Sequence, residues 1–217
     1  MAESDLPTLT YFGLHAKAEP IRMLLAHKGV AFTNRVITFE EWPQIKPTLP
    51  AGQMPIWQEA APGSKMLNQA TAILRMLGRK HGYYFSDSEE EAFNVDWVLE
   101  AHADFWNTKT YRMWFSGESD QEKVAQGVAC FEALNKQLET LLASTNSRFI
   151  ASDRLTIADF VVFSLYMSLV QNEATQAPEL QAALAAKLAD TPKVSAYLET
   201  MKQEMATYMS QRQAYKF

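Results

Sequence analysis

The pattern of apolar residues in this 217-residue chain changes once, close to His81 and Gly82. Before that point, short β-branched and aromatic runs alternate with stretches of helical period, and no internal repeat is visible. After it, apolar residues recur only at the 3.6-residue spacing of helices. The sequence therefore predicts an α/β domain over residues 1–83, followed by an all-helical domain over residues 88–217.

The first domain is predicted to have the order βαβ followed by ββα. Its strands are predicted at residues 8–12, 31–38, 54–59 and 65–68, and its helices at 18–30 and from 69 to about 80. Because the first two strands flank a helix, they should be parallel and joined by a right-handed crossover. The Pro62-Gly63 turn should join the last two strands as a hairpin.

The second domain is predicted to contain helices at about residues 88–115, 120–144, 156–170, 177–189 and 193–209. One helix start is marked by several local signals. Thr156 is a good N-cap, and Asp159 stands where a capping box reaches back to it. Leu155 and Phe160 occupy the two positions of a hydrophobic staple. We expect this segment to serve folding, with a stabilisation of about 1 kcal/mol or more, and not chemistry.

Composition limits the classes of function. The chain has 20 Lys and Arg against 25 Asp and Glu, which gives a net charge of -5. No basic block is present, so nucleic acid and anionic membrane surfaces are not expected as partners. One cysteine, Cys130, and the lack of a signal peptide or a long apolar run predict a cytosolic protein.

Two positions in the first domain are candidates for ligand contact. Tyr11 ends the first strand, where open α/β folds collect ligands, although tyrosine is also common as a half-buried strand residue. Pro55 follows Met54 at the start of a strand. A cis bond there would turn the backbone of Met54 outward to pair with an extended peptide, but a sequence alone leaves cis and trans open.

Three acidic residues share one face of the fourth predicted helix. Asp96, Glu100 and Asp104 are spaced i, i+4, i+8, and like charges at this spacing cost roughly a few tenths of a kcal/mol for each pair. The face is either solvated, or paired with a partner, or a site for a hard cation such as Mg²⁺ or Ca²⁺. The four histidines show no metal-ligand spacing.

Several short motifs follow one another along the chain. They are Thr10-Tyr11-Phe12, Ala18-Glu19-Pro20-Ile21-Arg22, Glu41-Trp42-Pro43 with Lys46, Thr48-Leu49-Pro50, Gly52-Gln53-Met54-Pro55-Ile56, Leu67-Asn68-Gln69 and Ala72-Ile73-Leu74-Arg75. In this order and spacing the chain resembles a cytosolic glutathione S-transferase, most closely of the sigma class. The Thr156-Ile157-Ala158-Asp159-Phe160 segment matches that family's folding motif, so the resemblance covers essentially the whole chain.

The resemblance implies a thioredoxin-like N-terminal domain that binds glutathione as a co-substrate, and a helical domain that forms the co-substrate pocket and part of a homodimer interface. The Tyr11 hydroxyl would donate a hydrogen bond to the glutathione sulfur and favour the thiolate. Such a bond to a charged acceptor is worth about 1.5–3 kcal/mol, which lowers a thiol pKa by about one to two units. The implied reaction is attack of the thiolate on an electrophilic carbon.

The same resemblance implies the glutathione contacts. They are Tyr11, Lys17, Trp42, Lys46, Gln53, Met54, Pro55, Gln69 and Ala70, with Asp104 reaching the γ-glutamyl ammonium across a twofold dimer. The chain departs from the pattern at two places. Ala70 stands where relatives usually carry Ser, and His15-Ala16-Lys17 stands where sigma relatives carry Arg-Gly-Arg. Lys17 keeps the charge but loses the fork of an arginine, and His15 would be a weak replacement.

The resemblance also implies an apolar co-substrate pocket lined by Phe12, Trp106, Tyr111, Trp114 and Phe217. Ordinary packing in a core or an interface is the alternative for these aromatic residues. The implied function is conjugation of glutathione to apolar electrophiles, with no metal required. Two alternatives use the same fold: a glutathione-dependent isomerase or peroxidase of lipid-derived substrates, and a non-catalytic, crystallin-like protein.

Overall fold

The computed structural model of the protein describes residues 6–85, 87–107 and 121–215. Its strands are β1 (Thr8–Phe12), β2 (Thr33–Ile37) and β3 (Ile56–Gln58). Its helices are α1 (Glu19–Lys28), α2 (Trp42–Ile45), α3 (Ala70–His81), α4 (Glu89–Asn107), α5 (Gln121–Thr145), α6 (Ile157–Leu169), α7 (Pro178–Lys187), α8 (Pro192–Glu204) and α9 (Ala206–Gln211). Across these ranges, all strands precede α3 and only helices follow it, so the predicted α/β plus all-α fold class is confirmed.

β1 is the central strand of a three-stranded sheet with the order β2-β1-β3. It pairs in parallel with β2, with Thr8 opposite Thr33. It pairs antiparallel with β3, where Thr8 lies opposite Gln58. Because α1 connects β1 to β2, the predicted βαβ unit is confirmed. The loop after β1 therefore emerges from the middle of the sheet.

The fourth strand predicted at residues 65–68 is reduced to a single antiparallel bridge. Trp57 and Leu67 exchange both backbone hydrogen bonds, at 2.9 and 2.8 Å. Beside the turn, Gln58 Nε2 donates a hydrogen bond to the Ser64 carbonyl at 3.0 Å, and the Ser64 hydroxyl donates one to the Glu59 carbonyl. These side-chain hydrogen bonds take the place of a longer ladder, so the predicted hairpin is present but short.

α1 joins the sheet region to the helical region. Its residues Ile21, Met23 and Leu24 are fully buried. It packs against α3 on one side and against α6 on another. Every residue of α6 is buried, because a helix that is apolar all round has its place inside a core. One continuous core therefore runs under both regions.

Asp159 anchors the start of α6. Its Oδ2 accepts hydrogen bonds from Thr156 N at 2.7 Å and from Thr156 Oγ1 at 2.9 Å. Its Oδ1 accepts from Ile150 N at 2.8 Å. Burial raises the pKa of this carboxyl to about 6, although these donors act in the opposite direction. The predicted cap is confirmed, and Ile150 adds a contact that local spacing did not show.

Two helix boundaries differ from the prediction. α4 is described up to Asn107, and the remainder of the helix predicted to residue 115 lies outside the described residues. The helix predicted at residues 193–209 is divided into α8 and α9 at Met205, where φ and ψ of -98° and 11° leave the helical region. None of the described helices is long and apolar enough to cross a membrane.

Candidate functional site

A cleft of about 410 Å³ opens where loops of the sheet region face α4. The lining residues are Phe12, Lys17, Pro20, Ile21, Trp42, Gly52, Gln53, Met54, Pro55, Gln69, Ala70, Thr71, Leu74, His102, Ala103, Trp106, Asn107 and Val161. We call the lining residues up to Leu74 the loop wall. The helix wall comprises His102, Ala103, Trp106 and Asn107, all on α4. The two walls come from the two regions of the chain, so the cleft exists only when both are folded together.

The loop wall brings together residues from two segments that lie apart in the sequence. Gln53, Met54 and Pro55 precede β3, and the Met54–Pro55 peptide bond is cis. Gln69 precedes α3, and its Nε2 donates to Gln53 Oε1 at 3.0 Å. Both glutamines are exposed, so their remaining amide groups are open to a ligand. These four residues are among the predicted glutathione contacts.

α3 begins at the cleft, with its first residues Ala70 and Thr71 in the lining. Gln69 occupies the N-cap with a left-handed φ of 73° and makes no side-chain hydrogen bond to the helix. The first backbone N–H groups of a helix lack intrahelical partners and form the positive end of its dipole. The start of α3 is therefore suited to an anionic group, although Ala70 adds no hydroxyl donor.

Lys17 makes the cleft electropositive. Among the lining residues that the structure describes, it is the one that carries a permanent charge, and none of them is Asp or Glu. Its side chain is exposed, so the ammonium is available to a ligand. A positive charge and a helix start in one concave site raise the local concentration of anions.

A second pocket of about 350 Å³ adjoins the cleft and contains Tyr11. The two pockets share Phe12, Lys17, Met54 and Trp106. Tyr11 is 7% exposed and lies near the end of β1. It is buried as strand aromatics usually are, and it also belongs to the wall of a pocket. It therefore lines the more apolar space, next to Phe12, which also lines the electropositive cleft.

Aromatic rings line the second pocket. Phe12 stacks on Phe39 with ring centroids 4.7 Å apart and meets Trp42 edge-on at 5.2 Å. Phe39 is 65% exposed and was not predicted, because it lies in the turn after β2, outside any strand or helix period. Of the predicted co-substrate residues, Phe12 and Trp106 line this pocket. The others lie outside the described residues: Tyr111, Trp114 and Phe217.

His102 is a polar residue of the helix wall that the sequence did not indicate. Trp106, one helical turn later, donates its Nε1–H to His102 Nε2 at 2.6 Å. Burial, together with the charge of Lys17, lowers the pKa of the imidazole to about 3. The ring is therefore neutral at physiological pH. In the sequence, the i, i+4 spacing of His102 and Trp106 is the signal that could have indicated this hydrogen bond.

Three residues considered for the site do not line the cleft. Lys46 is exposed and lies beside the lining residue Gly52, whose added Cβ would come within 3.3 Å of Lys46 Cγ. Asp104 is exposed on α4. His15 is 1% exposed, and its Nδ1 lies 3.2 Å from Glu19 Oε2. His15 is thus part of the support behind the loop wall and does not replace an arginine in the cleft.

Glu19 is a buried carboxylate at the start of α1. It accepts hydrogen bonds from Arg22 Nη1 at 3.1 Å, Tyr208 OH at 2.9 Å and Arg212 Nε at 2.6 Å. Burial raises the pKa of its carboxyl, but His15, Arg212 and Arg22 outweigh that effect and hold the pKa well below its usual range. Glu19 therefore ties the loop after β1 to the C-terminal segment.

The acidic face of α4 is paired with another helix. Arg75 of α3 donates from Nε to Asp96 at 2.9 Å and from Nη2 to Glu100 at 3.1 Å. The Tyr84 hydroxyl also donates to Asp96, at 2.8 Å. This pairing offsets the repulsion between the two carboxylates. Across the described ranges, no group of three or more His, Cys, Asp or Glu side chains is placed to hold a metal ion.

Comparison with known proteins establishes the family. A family model described as "Glutathione S-transferase, C-terminal domain" matches residues 104–201. The chain is 32% identical over 197 residues to Glutathione S-transferase P of Caenorhabditis elegans, covering 88% of this chain and 90% of that protein. It belongs to the glutathione S-transferase family. Glutathione S-transferase 2 of Manduca sexta is 34% identical over 200 residues, covering 88% of this chain and 94% of the relative.

Solved structures of glutathione S-transferases share the fold over nearly the whole chain. The enzyme from Ascaris lumbricoides superposes with a TM-score of 0.80 at 25% identity, covering 98% of this chain and 100% of that chain. The monomeric Na-GST-3 of the hookworm Necator americanus gives 0.81 at 24%, covering 98% and 100%. A sigma class enzyme of Fasciola hepatica gives 0.77 at 23%, covering 99% and 100%. The thioredoxin-like plus helical fold is therefore confirmed.

Proposed function

We propose that this transferase joins the thiolate of glutathione to apolar electrophiles and that Tyr11 stabilises the thiolate. The observation that carries the proposal is the junction of two pockets. An electropositive cleft and an aromatic pocket share part of their walls, and Tyr11 lines the aromatic pocket with its ring 5.8 Å from the shared residue Phe12. A peptide held by its charged ends in the cleft would present its sulfur to an electrophile in the aromatic pocket.

Glutathione is an extended peptide with a carboxylate at each end, and the cleft offers matching groups. Its γ-glutamyl carboxylate would bind at the start of α3, where backbone N–H groups are available. Its glycine end would lie near Trp42, with Lys46, next to the lining residue Gly52, as the charge. Its cysteine would pair with the backbone of Met54. The other proposed contacts are Lys17, Gln53, Pro55, Gln69 and Ala70.

The proposed role of Tyr11 is to donate a hydrogen bond to the sulfur. A hydrogen bond to an ion is worth about 1.5–3 kcal/mol, and about 1.4 kcal/mol corresponds to one pKa unit. Tyr11 would therefore lower the thiol pKa from about 8.5 to about 7, where much of the bound thiol is ionised. The thiolate then forms a carbon–sulfur bond as the leaving group departs with its electron pair.

The proposed homodimer uses a face of α4 that one copy leaves open. Phe93 on this face is 66% exposed, and Trp97 and Asp104 follow it at helical spacing. With Trp97, which is partly exposed one turn later, Phe93 offers adjoining apolar surface of the kind that marks interfaces. A second copy on this face would bring its Asp104 towards the γ-glutamyl ammonium.

Sedimentation at micromolar concentration tests the dimer. The wild type should have twice the chain mass of 24.6 kDa, and Phe93→Asp should shift it to the monomer, because the interface would then bury an unpaired charge. Phe39→Asp is the matched control, since Phe39 is equally exposed but lies on the aromatic pocket. A monomeric wild type would contradict the proposal.

A sigma-like class and a cytosolic location complete the proposal. The motifs around Tyr11, Trp42 and Gln69 support the class, together with the shared fold of the sigma class enzyme from Fasciola hepatica. The sequence contains one cysteine, Cys130, and it is a free thiol in the structure. A chain without a disulfide fits a reducing compartment.

Turnover of glutathione with a generic aryl halide tests the proposed function. The wild type should show a rate that saturates with glutathione. Tyr11→Phe should lower kcat/KM by about 10–100-fold, because it removes one hydrogen bond to an ion. Tyr84→Phe is the matched control, since it removes a phenol–carboxylate hydrogen bond outside the cleft. Glutathione that binds to the wild type without turnover would contradict a catalytic role.

A further inference from the structure

The tautomer of His102 is fixed by its neighbour. The indole Nε1–H of Trp106 can only donate a hydrogen bond, and it lies 2.6 Å from His102 Nε2. Nε2 must therefore be the acceptor. A neutral imidazole that accepts at Nε2 carries its proton on Nδ1. Trp106 thus makes His102 a hydrogen-bond donor through Nδ1.

The charge state of His102 follows from the same surroundings. Protonation at Nε2 would set two N–H donors against each other. Burial and the positive charge of Lys17 both oppose a cationic ring, and the pKa of His102 is lowered to about 3. His102 therefore remains a neutral donor at any pH at which the protein would work.

The Nδ1–H of His102 lacks an acceptor within the chain as described. No residue in the described ranges accepts a hydrogen bond from it, yet it is not among the unpaired side-chain atoms that are sealed from solvent. His102 lines the cleft, so a ligand in the cleft can supply the acceptor. A donor held in one tautomer beside a ligand space is prepared for a directional hydrogen bond.

The residues around His102 favour a negatively charged hydrogen-bond acceptor on the ligand. Lys17 and the start of α3 both contribute positive potential to the cleft. No carboxylate is present among the described lining residues to compete for the donor. An anionic group of the ligand is therefore favoured over a neutral one.

We propose that His102 donates its Nδ1–H to an anionic group of bound glutathione, either the thiolate or a carboxylate. The inference rests on the proposed function, which assigns glutathione to this cleft. It gives the helix wall a direct part in holding the peptide. It also supplies a hydrogen-bond donor in a cleft where Ala70 carries no hydroxyl and Lys17 cannot bind an anion in the bidentate way of an arginine.

Ring-nitrogen NMR of the full-length protein, with ¹⁵N-labelled histidine, tests the proposal. His102 should carry its proton on Nδ1 and should not titrate between about pH 5 and 9. Reduced glutathione should shift the Nδ1 signal of His102. His27 is an internal control, because its Nδ1 lies 2.6 Å from Tyr83 OH, outside the cleft. A His102 ring that is protonated on Nε2, or that titrates near pH 6.5, would overturn the inference.

S-methylglutathione distinguishes the two anionic groups, because its sulfur cannot ionise. A shift of the Nδ1 signal with both peptides would identify a carboxylate as the acceptor. A shift with reduced glutathione alone would identify the thiolate. If calorimetry shows that glutathione binds and His102 responds to neither peptide, this inference fails. If glutathione does not bind at all, the proposed function fails as well.

Two substitutions of His102 isolate the donor. Both His102→Phe and His102→Asn remove the acceptor for Trp106, but the asparagine amide restores an N–H near the position of Nδ1. His102→Phe should weaken glutathione binding or raise the thiol pKa, in either case by about tenfold in the corresponding equilibrium constant. His102→Asn should recover most of that loss. Equal losses in the two variants would show a structural role and overturn the inference.

Discussion

The two walls of the cleft are built in different ways. In the loop wall, turns and chain junctions place the ligand-facing groups, such as the Met54–Pro55 segment, the N-cap Gln69 and the loop that carries Lys17. In the helix wall, one face of α4 does so, with His102 and Trp106 a turn apart. Short motifs specify the first kind of wall, whereas packing of a whole helix specifies the second.

The largest effect is expected from Glu19, which supports the loop wall from behind. Glu19→Gln would leave the buried guanidinium groups of Arg22 and Arg212 without their anion. Breaking a buried pair in this way costs about 3–5 kcal/mol, so the free energy of unfolding at pH 7 should fall by about that amount. The pKa of Glu19 lies below its ordinary value of 4.5. The stabilisation is therefore complete above about pH 4.5 and declines as the pH falls further.

Denaturant titration at several pH values measures the effect of Glu19→Gln. Wild type and variant should converge in acid, because protonation removes the same charge from the wild type. Glu199→Gln is the matched control, since Glu199 forms an exposed pair with Lys202 and should contribute less than about 1 kcal/mol. A loss for Glu19→Gln no larger than for this control would mean that the loop wall stands without support from the C-terminal segment.

The second largest loss of stability is expected from Asp159, which caps a helix that contacts both walls of the cleft. Asp159 fixes the start of α6, and α6 packs against both α1 and α4. Asp159→Ala should lower the free energy of unfolding by about 2–3 kcal/mol, because it leaves buried N–H groups without an acceptor. Asp153→Ala is the control, since Asp153 accepts one exposed hydrogen bond from Arg148 N at 2.9 Å. Equal melting temperatures for the two variants would contradict a stabilising role of Asp159 at the start of α6.

The smallest effect is expected from Lys17, which contributes the positive charge of the loop wall. Lys17→Ala should weaken glutathione binding by about 1 kcal/mol and leave stability unchanged, because the side chain is exposed and acts on the ligand. The loss should shrink at high salt, which screens exposed charges. Calorimetry at two salt concentrations checks this, with Lys193→Ala on α8 as the control. If Lys17→Ala bound glutathione as tightly as the wild type at low salt, the proposed attraction between the Lys17 ammonium and glutathione would be contradicted.

Much of the loop wall was predictable, since its signals are local. The β1–α1–β2 order followed from periodicity, and Gly52-Gln53-Met54-Pro55 and Gln69 were recognisable as motifs before the structure placed them in one cleft. Two details were not predictable. Lys46 lies beside Gly52 and outside the lining of the cleft, which leaves its predicted glutathione contact untested. The strand at residues 65–68 is a single bridge, because side chains take over its hydrogen bonds.

The helix wall was predicted less well, because the same face of a helix can meet a core, a partner or a ligand. The resemblance predicts Trp106 at the pocket, but the spacing of His102 from the other histidines indicates no function for it. Its donor character arises from Trp106 and from burial, which only the packing of α4 determines. Phe39 was missed for a related reason, since its stacking on Phe12 joins two segments that have no common period.

Tyr11 lines the aromatic pocket that adjoins the cleft, and its proposed effect on the thiol can be measured directly. Ultraviolet absorbance of the thiolate of bound glutathione, recorded against pH, gives the thiol pKa in the wild type and in Tyr11→Phe. The wild type should show a pKa about one to two units below the free value of about 8.5, and Tyr11→Phe should return it towards that value. An identical thiol pKa in both proteins would contradict the proposed role of Tyr11.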